Sequence, residues 1–141
     1  MMTQSPPWSL DPQLQRDTAA IGDLTLARVL AMNDANYPWL VLVPRIAGAV
    51  EIIDLDDEQQ AQLIDEIAML SRVLKDVTQC HKLNVAAIGN VVAQLHIHIV
   101  ARRRDDAAWP KPVWGAAPAR PYASADLASF IARIRAEVAF G

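Results

Sequence analysis

Cysteine is almost missing from this chain of 141 residues: Cys80 is the only thiol, so no internal disulfide can form. That excludes a disulfide-stapled secreted scaffold and fits a reducing cytoplasm. An excess of positive charge is missing too. Thirteen Lys and Arg against sixteen Asp and Glu leave a formal net charge of −3, so nucleic acid is not the expected partner, although Arg102-Arg103-Arg104 forms a local basic run. Long apolar runs are also absent. The best stretch, Val85 to Val100, follows Asn84 and is broken by Asn90, Gln94 and two histidines, so no membrane span is expected. The N-terminus carries no basic-then-apolar signal segment. What is present is an ordinary globular composition, 52% hydrophobic and 21% charged, long enough to bury a core as one domain. No internal repeat or low-complexity tract is visible.

Residues 1–9 read as a frayed start. Asp11 followed by Pro12 opens a helix, cap then first-turn proline, which Leu14 to Ala20 completes before Gly22. Leu24 to Met32 alternates loosely and predicts a strand. Asn33-Asp34-Ala35-Asn36-Tyr37-Pro38 supplies a turn, and Trp39 to Pro44 predicts a second strand antiparallel to the first. Asp54 to Asp57 offer caps for the clearest helix, with Leu63, Ile64, Ile67, Leu70, Leu74 and Val77 as its apolar stripe and Lys75 near its end. This stripe reads as core and implies no cofactor. Leu83 to Ala87 predicts a third strand, Ile88 to Ala93 a tight loop, and Gln94 to Ala101 a fourth strand. Trp109 to Pro121 has no period and reads as an extended surface arm, and Ser124 is the expected cap of a last helix carrying Leu127, Phe130, Ile131, Ile134 and Val138. The pattern is α+β: a mostly antiparallel sheet of roughly four to six strands, a long helix packed on one face, and a C-terminal helix.

Two of the three histidines stand one residue apart in Gln94-Leu95-His96-Ile97-His98-Ile99-Val100. On a strand, Gln94, His96 and His98 share one face roughly 6–7 Å apart, with the leucine and isoleucines facing a core. Three readings compete. Two imidazoles can begin a zinc or iron site, but a third ligand must converge; His81 lies beyond the helix-to-strand joint, and no Asp or Glu occurs between Asp76 and Asp105. A hydrogen-bonded pair on a sheet face, without chemistry, is the second. The third is nucleophilic attack on phosphorus, for which neutral imidazole suits pH 7 once a group accepts the hydrogen on its other nitrogen. Phosphate also needs donors, and Asn84, the loop Gly89-Asn90-Val91, Gln94 and His98 offer them. Cys80 and His81 read as helix-end residues without a role, Arg102 to Arg104 as a solvated strand exit, and Trp109 and Trp114 as packing against the sheet or a partner subunit.

The run from Gln94 to Val100 resembles the signature of the histidine triad (HIT) superfamily, His-φ-His-φ-His-φ-φ with φ hydrophobic. The resemblance extends from about residue 22 to 101: strand pair, turn with Asn or Asp, long helix, Asn on the next strand, glycine-bearing loop, histidines. Trp109-Pro110 is similar to the Trp-Pro tail of the branch that hydrolyses nucleoside phosphoramidates. The resemblance implies a single HIT-like domain over 1–141, with 102–141 as C-terminal arm and helix. It implies a homodimer that binds a purine nucleotide or nucleotide conjugate and needs neither metal nor cofactor. His96 would attack the α-phosphorus to form a nucleotidyl-histidine, with the Gln94 carbonyl holding its second nitrogen. His98 would donate to phosphate or to the leaving group. Asn84 and the Gly89-Asn90-Val91 loop match phosphate contacts, and Asn33, with Asp34 as rival, matches the ribose contact. The expected activity is hydrolysis; alternatives are nucleotidylyl transfer through the same intermediate and a nucleotide-binding module with little turnover. Three positions depart from the pattern: Gln94 replaces the first histidine, Val91 stands where many members carry Ser or Thr, and Trp39 where many carry His. Gln94 cannot act as a general acid, which bears on leaving-group protonation.

Overall fold

Asp11 and Pro12 do open a helix, but a short one. In the computed structural model, which describes residues 7–141, α1 (Pro12–Asp17) is capped by the Asp11 carboxylate, which accepts from the Gln13 backbone N–H at 2.8 Å. The chain is already extended at Thr18, and the expected helical continuation is instead a strand, β1 (Thr18–Asp23). Sheet pairing overrides local helix preference here: β1 runs antiparallel to β2 (Ala27–Met32) from Thr18 opposite Met32, and an irregularity at Ile21 turns that side chain into the core. β3 (Trp39–Pro44), β4 (Lys82–Ala86) and β5 (Ile97–Arg102) complete a five-stranded sheet, ordered β1-β2-β3-β5-β4 with every neighbour antiparallel.

One face carries the two longer helices. α2 (Asp57–Thr78) starts with a reciprocal capping box: Asp56 accepts from the Gln59 N–H at 2.8 Å, and Gln59 accepts from the Asp56 N–H at 2.9 Å. Leu63, Leu70 and Leu74 are buried against Leu40, Leu42, Ile97 and Ile99 of the sheet. The stripe differs from expectation at one step: Ile64 is 62% exposed, and Glu66 is buried, its oxygens accepting from the Leu26 and Ala27 N–H groups at 2.9 and 2.8 Å. α3 (Ser124–Glu137) adds Phe130 and Ile134 to this core; its N-cap is Ala123, with no side-chain cap bond, rather than Ser124. Among the described residues no helix is long and apolar enough to cross a membrane.

The opposite face is covered by the short helix α1 and irregular chain. Leu14, Tyr37, Ala108 and Val113 form a second core with Leu30, Trp39, Val41 and Val100, and Trp8, Leu10 and Trp114 pack against it. The segment 109–121 runs largely exposed over the surface, as expected, but is pinned to the sheet by Val113 and Trp114. Of the frayed start expected over residues 1–9, residues 1–6 lie outside the described residues, while Trp8 is docked. This leaves one side of the histidine strand walled by helices and the other by two connecting segments.

Candidate active site at the histidine strand

The last strand begins at Ile97 rather than Gln94 because the Leu95 N–H leaves the ladder and donates to the Ala49 carbonyl at 3.0 Å. Side-chain alternation survives the diversion. Leu95, Ile97 and Ile99 enter the helix-side core, while the His96 and His98 rings meet edge to face with centroids 4.8 Å apart. Both histidines are buried, at 6% and 5% exposure. His96 Nδ1 lies 2.7 Å from the Gln94 carbonyl oxygen. A carbonyl only accepts, so Nδ1 carries the hydrogen and Nε2 keeps its lone pair.

His98 is enclosed by aromatic rings. Its Nδ1 accepts from Trp39 Nε1 at 3.0 Å, and the Trp39 and Trp114 rings stand edge-on at centroid distances of 5.6 and 5.2 Å. Burial, with a smaller contribution from neighbouring His96, pushes its pKa from 6.5 down to about 4.

An open pocket of about 330 Å³ runs beside His96. Its apolar wall is Val50, Ile52, Ile53 and Ile88; Glu51, Gly89, Gln94 and His96 supply its polar lining, and Gly89 holds the left-handed conformation, φ 70°, in the loop before the histidines. The Gln94 amide, however, is bonded to backbone: Oε1 accepts from the Asp11 N–H and Nε2 donates to the Ser9 carbonyl, each at 2.8 Å.

The structure thus gathers Gln94, His96, His98 and Gly89, but not every candidate. Asn90 and Val91 follow Gly89 in the same loop and are exposed, Val91 by 82%. Asn84 pairs with Val100, about 13 Å along the strand from His96, and its Oδ1 accepts from Arg102 Nη1 at 2.8 Å. Asn33 Oδ1 accepts from the Tyr122 N–H at 2.9 Å, and Asp34 Oδ1 from the N–H groups of Asn36 and Arg120 at 3.0 and 3.3 Å. These bonds tie the turn after β2 to the 118–122 segment.

Arg103 and Arg104 are exposed, as a solvated strand exit predicts, but Arg102 is not. Arg102 is 1% exposed, lies 5.7 and 5.5 Å from the Tyr37 and Trp109 ring centres, and pairs with Asp106 at 2.8 Å. Burial raises the Asp106 pKa, but the Arg102 hydrogen bond and the N–H groups of Ala108, Arg103 and Trp109 outweigh it and bring it to about 2. Arg103 donates to the Thr78 carbonyl at 2.7 Å, and Arg104 to His81 Nε2 at 3.2 Å. Among the described residues no three His, Cys, Asp or Glu side chains converge where they could hold a metal ion. The walls that sequence reasoning missed, Ser9 to Asp11 and Val50 to Ile53, reach the site from distant segments and carry no local motif.

Residues 13–105 match the HIT domain family. No curated protein matches the chain. Among solved structures, a histidine triad protein of Bradyrhizobium japonicum is 56% identical, with a TM-score of 0.92, covering 94% of this chain and 98% of that one. One from Marinobacter aquaeolei is 42% identical at TM-score 0.90, covering 93% and 96%. One from Sinorhizobium meliloti is 41% identical at TM-score 0.91, covering 93% and 97%.

Proposed function

The chain belongs to the HIT domain family, and on that premise we propose that it is a nucleotide-binding hydrolase acting at the α-phosphate of a small nucleotide conjugate, a nucleoside phosphoramidate or a dinucleotide-like compound. The observation that carries this reading is the 2.7 Å contact between His96 Nδ1 and the Gln94 carbonyl, on a ring that lines an open pocket. With the hydrogen held on Nδ1, the Nε2 lone pair attacks phosphorus, the bond to the leaving group breaks, and a nucleotidyl-histidine forms. Water then forms a new P–O bond, the P–N bond breaks, and the nucleoside monophosphate leaves. The Gly89-Asn90-Val91 loop offers backbone N–H groups to the phosphate, and His98 an N–H to developing negative charge. Asn84 and Asn33 have their Oδ1 atoms taken by Arg102 and the Tyr122 N–H, so each would serve phosphate or ribose through its Nδ2 hydrogens. The Val50, Ile52, Ile53 and Ile88 wall suits an apolar part of the ligand such as a purine ring. Family membership further implies a homodimer, to be checked by sedimentation across protein concentrations, and the single cysteine, Cys80, fits the cytoplasm as working compartment.

A second reading, a binding module without turnover, is favoured by one observation: the Gln94 amide, at the first signature position, is committed to backbone. Mass spectrometry of protein quenched during reaction with an aryl ester of adenosine 5′-phosphate separates the two. The hydrolase reading expects an adenylyl adduct in the wild type that is absent from His96→Ala. Tight binding of adenosine monophosphate with no adduct and no turnover establishes the module instead. Transfer of the adenylyl group to an added phosphate acceptor in preference to water marks a transferase.

A further inference from the structure

We propose that Trp39 is a positioning residue that locks His98 as a neutral Nε2–H donor, and that the site therefore favours leaving groups able to depart without a proton. The substrate half of this statement rests on the reading above; the tautomer half stands by itself. An indole N–H can only donate. Placed 3.0 Å from His98 Nδ1, it requires a lone pair there, so the ring's one hydrogen sits on Nε2. His96 is the mirror case, because its Nδ1 donates to a carbonyl and its lone pair is on Nε2. Two rings 4.8 Å apart thus carry opposite tautomers, one offering a lone pair and the other a hydrogen.

The indole is not free to turn away. Trp39 is 7% exposed, and its ring is wedged edge-on against Tyr37 and Trp114 at 6.3 and 5.9 Å. A second proton on His98 would set Nδ1–H against the indole N–H in a buried place, leaving both donors unsatisfied. Burial acts in the same direction, and the ring stays neutral well below pH 7. A neutral imidazole N–H donates a hydrogen bond but does not give up its proton near pH 7. Gln94 cannot protonate anything either. In the first step His96 Nε2 forms the P–N bond while the leaving group departs with the electron pair and no proton; His98 keeps its hydrogen throughout. Carboxylates, phosphates and phenolates leave in this way, whereas alkylamines need a proton first. The missing acid assistance amounts to about 10²–10⁴-fold in rate.

Long-range proton–nitrogen NMR on wild-type protein labelled with 15N-histidine tests the tautomer directly. The expected spectrum has His98 wholly Nε2–H and His96 wholly Nδ1–H at pH 7. Trp39→Phe, which keeps a ring and loses the donor, is expected to give His98 a tautomer mixture, while Trp114→Phe leaves it unchanged. A wild-type His98 that is Nδ1–H, mixed or protonated overturns the lock, even if no variant folds. Turnover is then compared between the p-nitrophenyl ester and the alkylamine phosphoramidate of adenosine 5′-phosphate. A fall of about a hundredfold or more to the amine supports the substrate half, and equal or faster turnover of the amine overturns it. Absence of turnover with both, beside an intact tautomer, defeats the hydrolase reading and with it the substrate half, but not the lock.

Discussion

Both ends of the Gln94 amide are taken by backbone two residues apart, the Ser9 carbonyl and the Asp11 N–H. That spacing is what a neighbouring strand would present, so the side chain acts as a one-residue extension of the sheet toward the N-terminal segment. Gln94→Glu keeps the acceptor but turns a carboxylate toward the Ser9 carbonyl. It is expected to cost roughly 1–3 kcal/mol in urea unfolding and to speed amide hydrogen exchange over residues 9–13. An unchanged midpoint would mean that the clamp carries nothing. His98 supplies a second prediction at this scale. Its folded pKa, about 4, lies below its ordinary 6.5, so the unfolded chain binds the proton first as pH falls. Stability is full above pH 6.5 and declines from there to about pH 4, by roughly 3 kcal/mol for this group alone. Denaturant midpoints across that range should show the slope, and His98→Asn should flatten it; an unchanged slope in the variant would assign the loss to other groups.

At the scale of elements, legibility followed periodicity. α2 and the alternating histidine strand were readable because each repeats one burial rule over many residues, and Asp56 lay among the acidic caps expected for the helix. β1 was not readable: Leu14 to Ala20 is compatible with a helix, and only pairing with β2 makes Thr18 to Ala20 extended. The site was half legible for the same reason. His96 and His98 announce themselves locally, whereas the partners of His98 and Gln94 come from 59 to 85 residues away, and no motif links them. Glu66 escaped notice because an acidic residue inside an apolar stripe reads as solvent-facing, yet it satisfies two N–H groups where the chain turns into β2. Glu66→Leu should therefore destabilise despite being more apolar, by about 2–5 kcal/mol, because it leaves two buried donors unpaired. Glu66→Gln, retaining one acceptor, should cost less. The reverse order in thermal or urea unfolding would show that the Leu26 and Ala27 groups find water instead.

Across the whole molecule the two faces of the sheet have different tasks. Helices seal one, and the other holds the histidines beneath a cover assembled from the N-terminal segment and residues 108–114. Trp114 joins that cover to the chemistry, because its ring touches both Trp39 and His98. Removing it acts in two places at once. Trp114→Ala should destabilise the fold by about 3 kcal/mol through lost packing. Water then reaches His98, and as burial is the main cause of its low pKa, that value must rise from about 4 toward 6.5. The two effects are separable. NMR titration of His98 reads the second, and the stability decline between pH 6.5 and 4 should shrink in proportion, since its size is set by that same displacement. A variant equally destabilised at every pH, with His98 still titrating near 4, would mean that strand and indole alone bury the ring. The irregular segment would then be scaffold, with no hold on the charge state of the site.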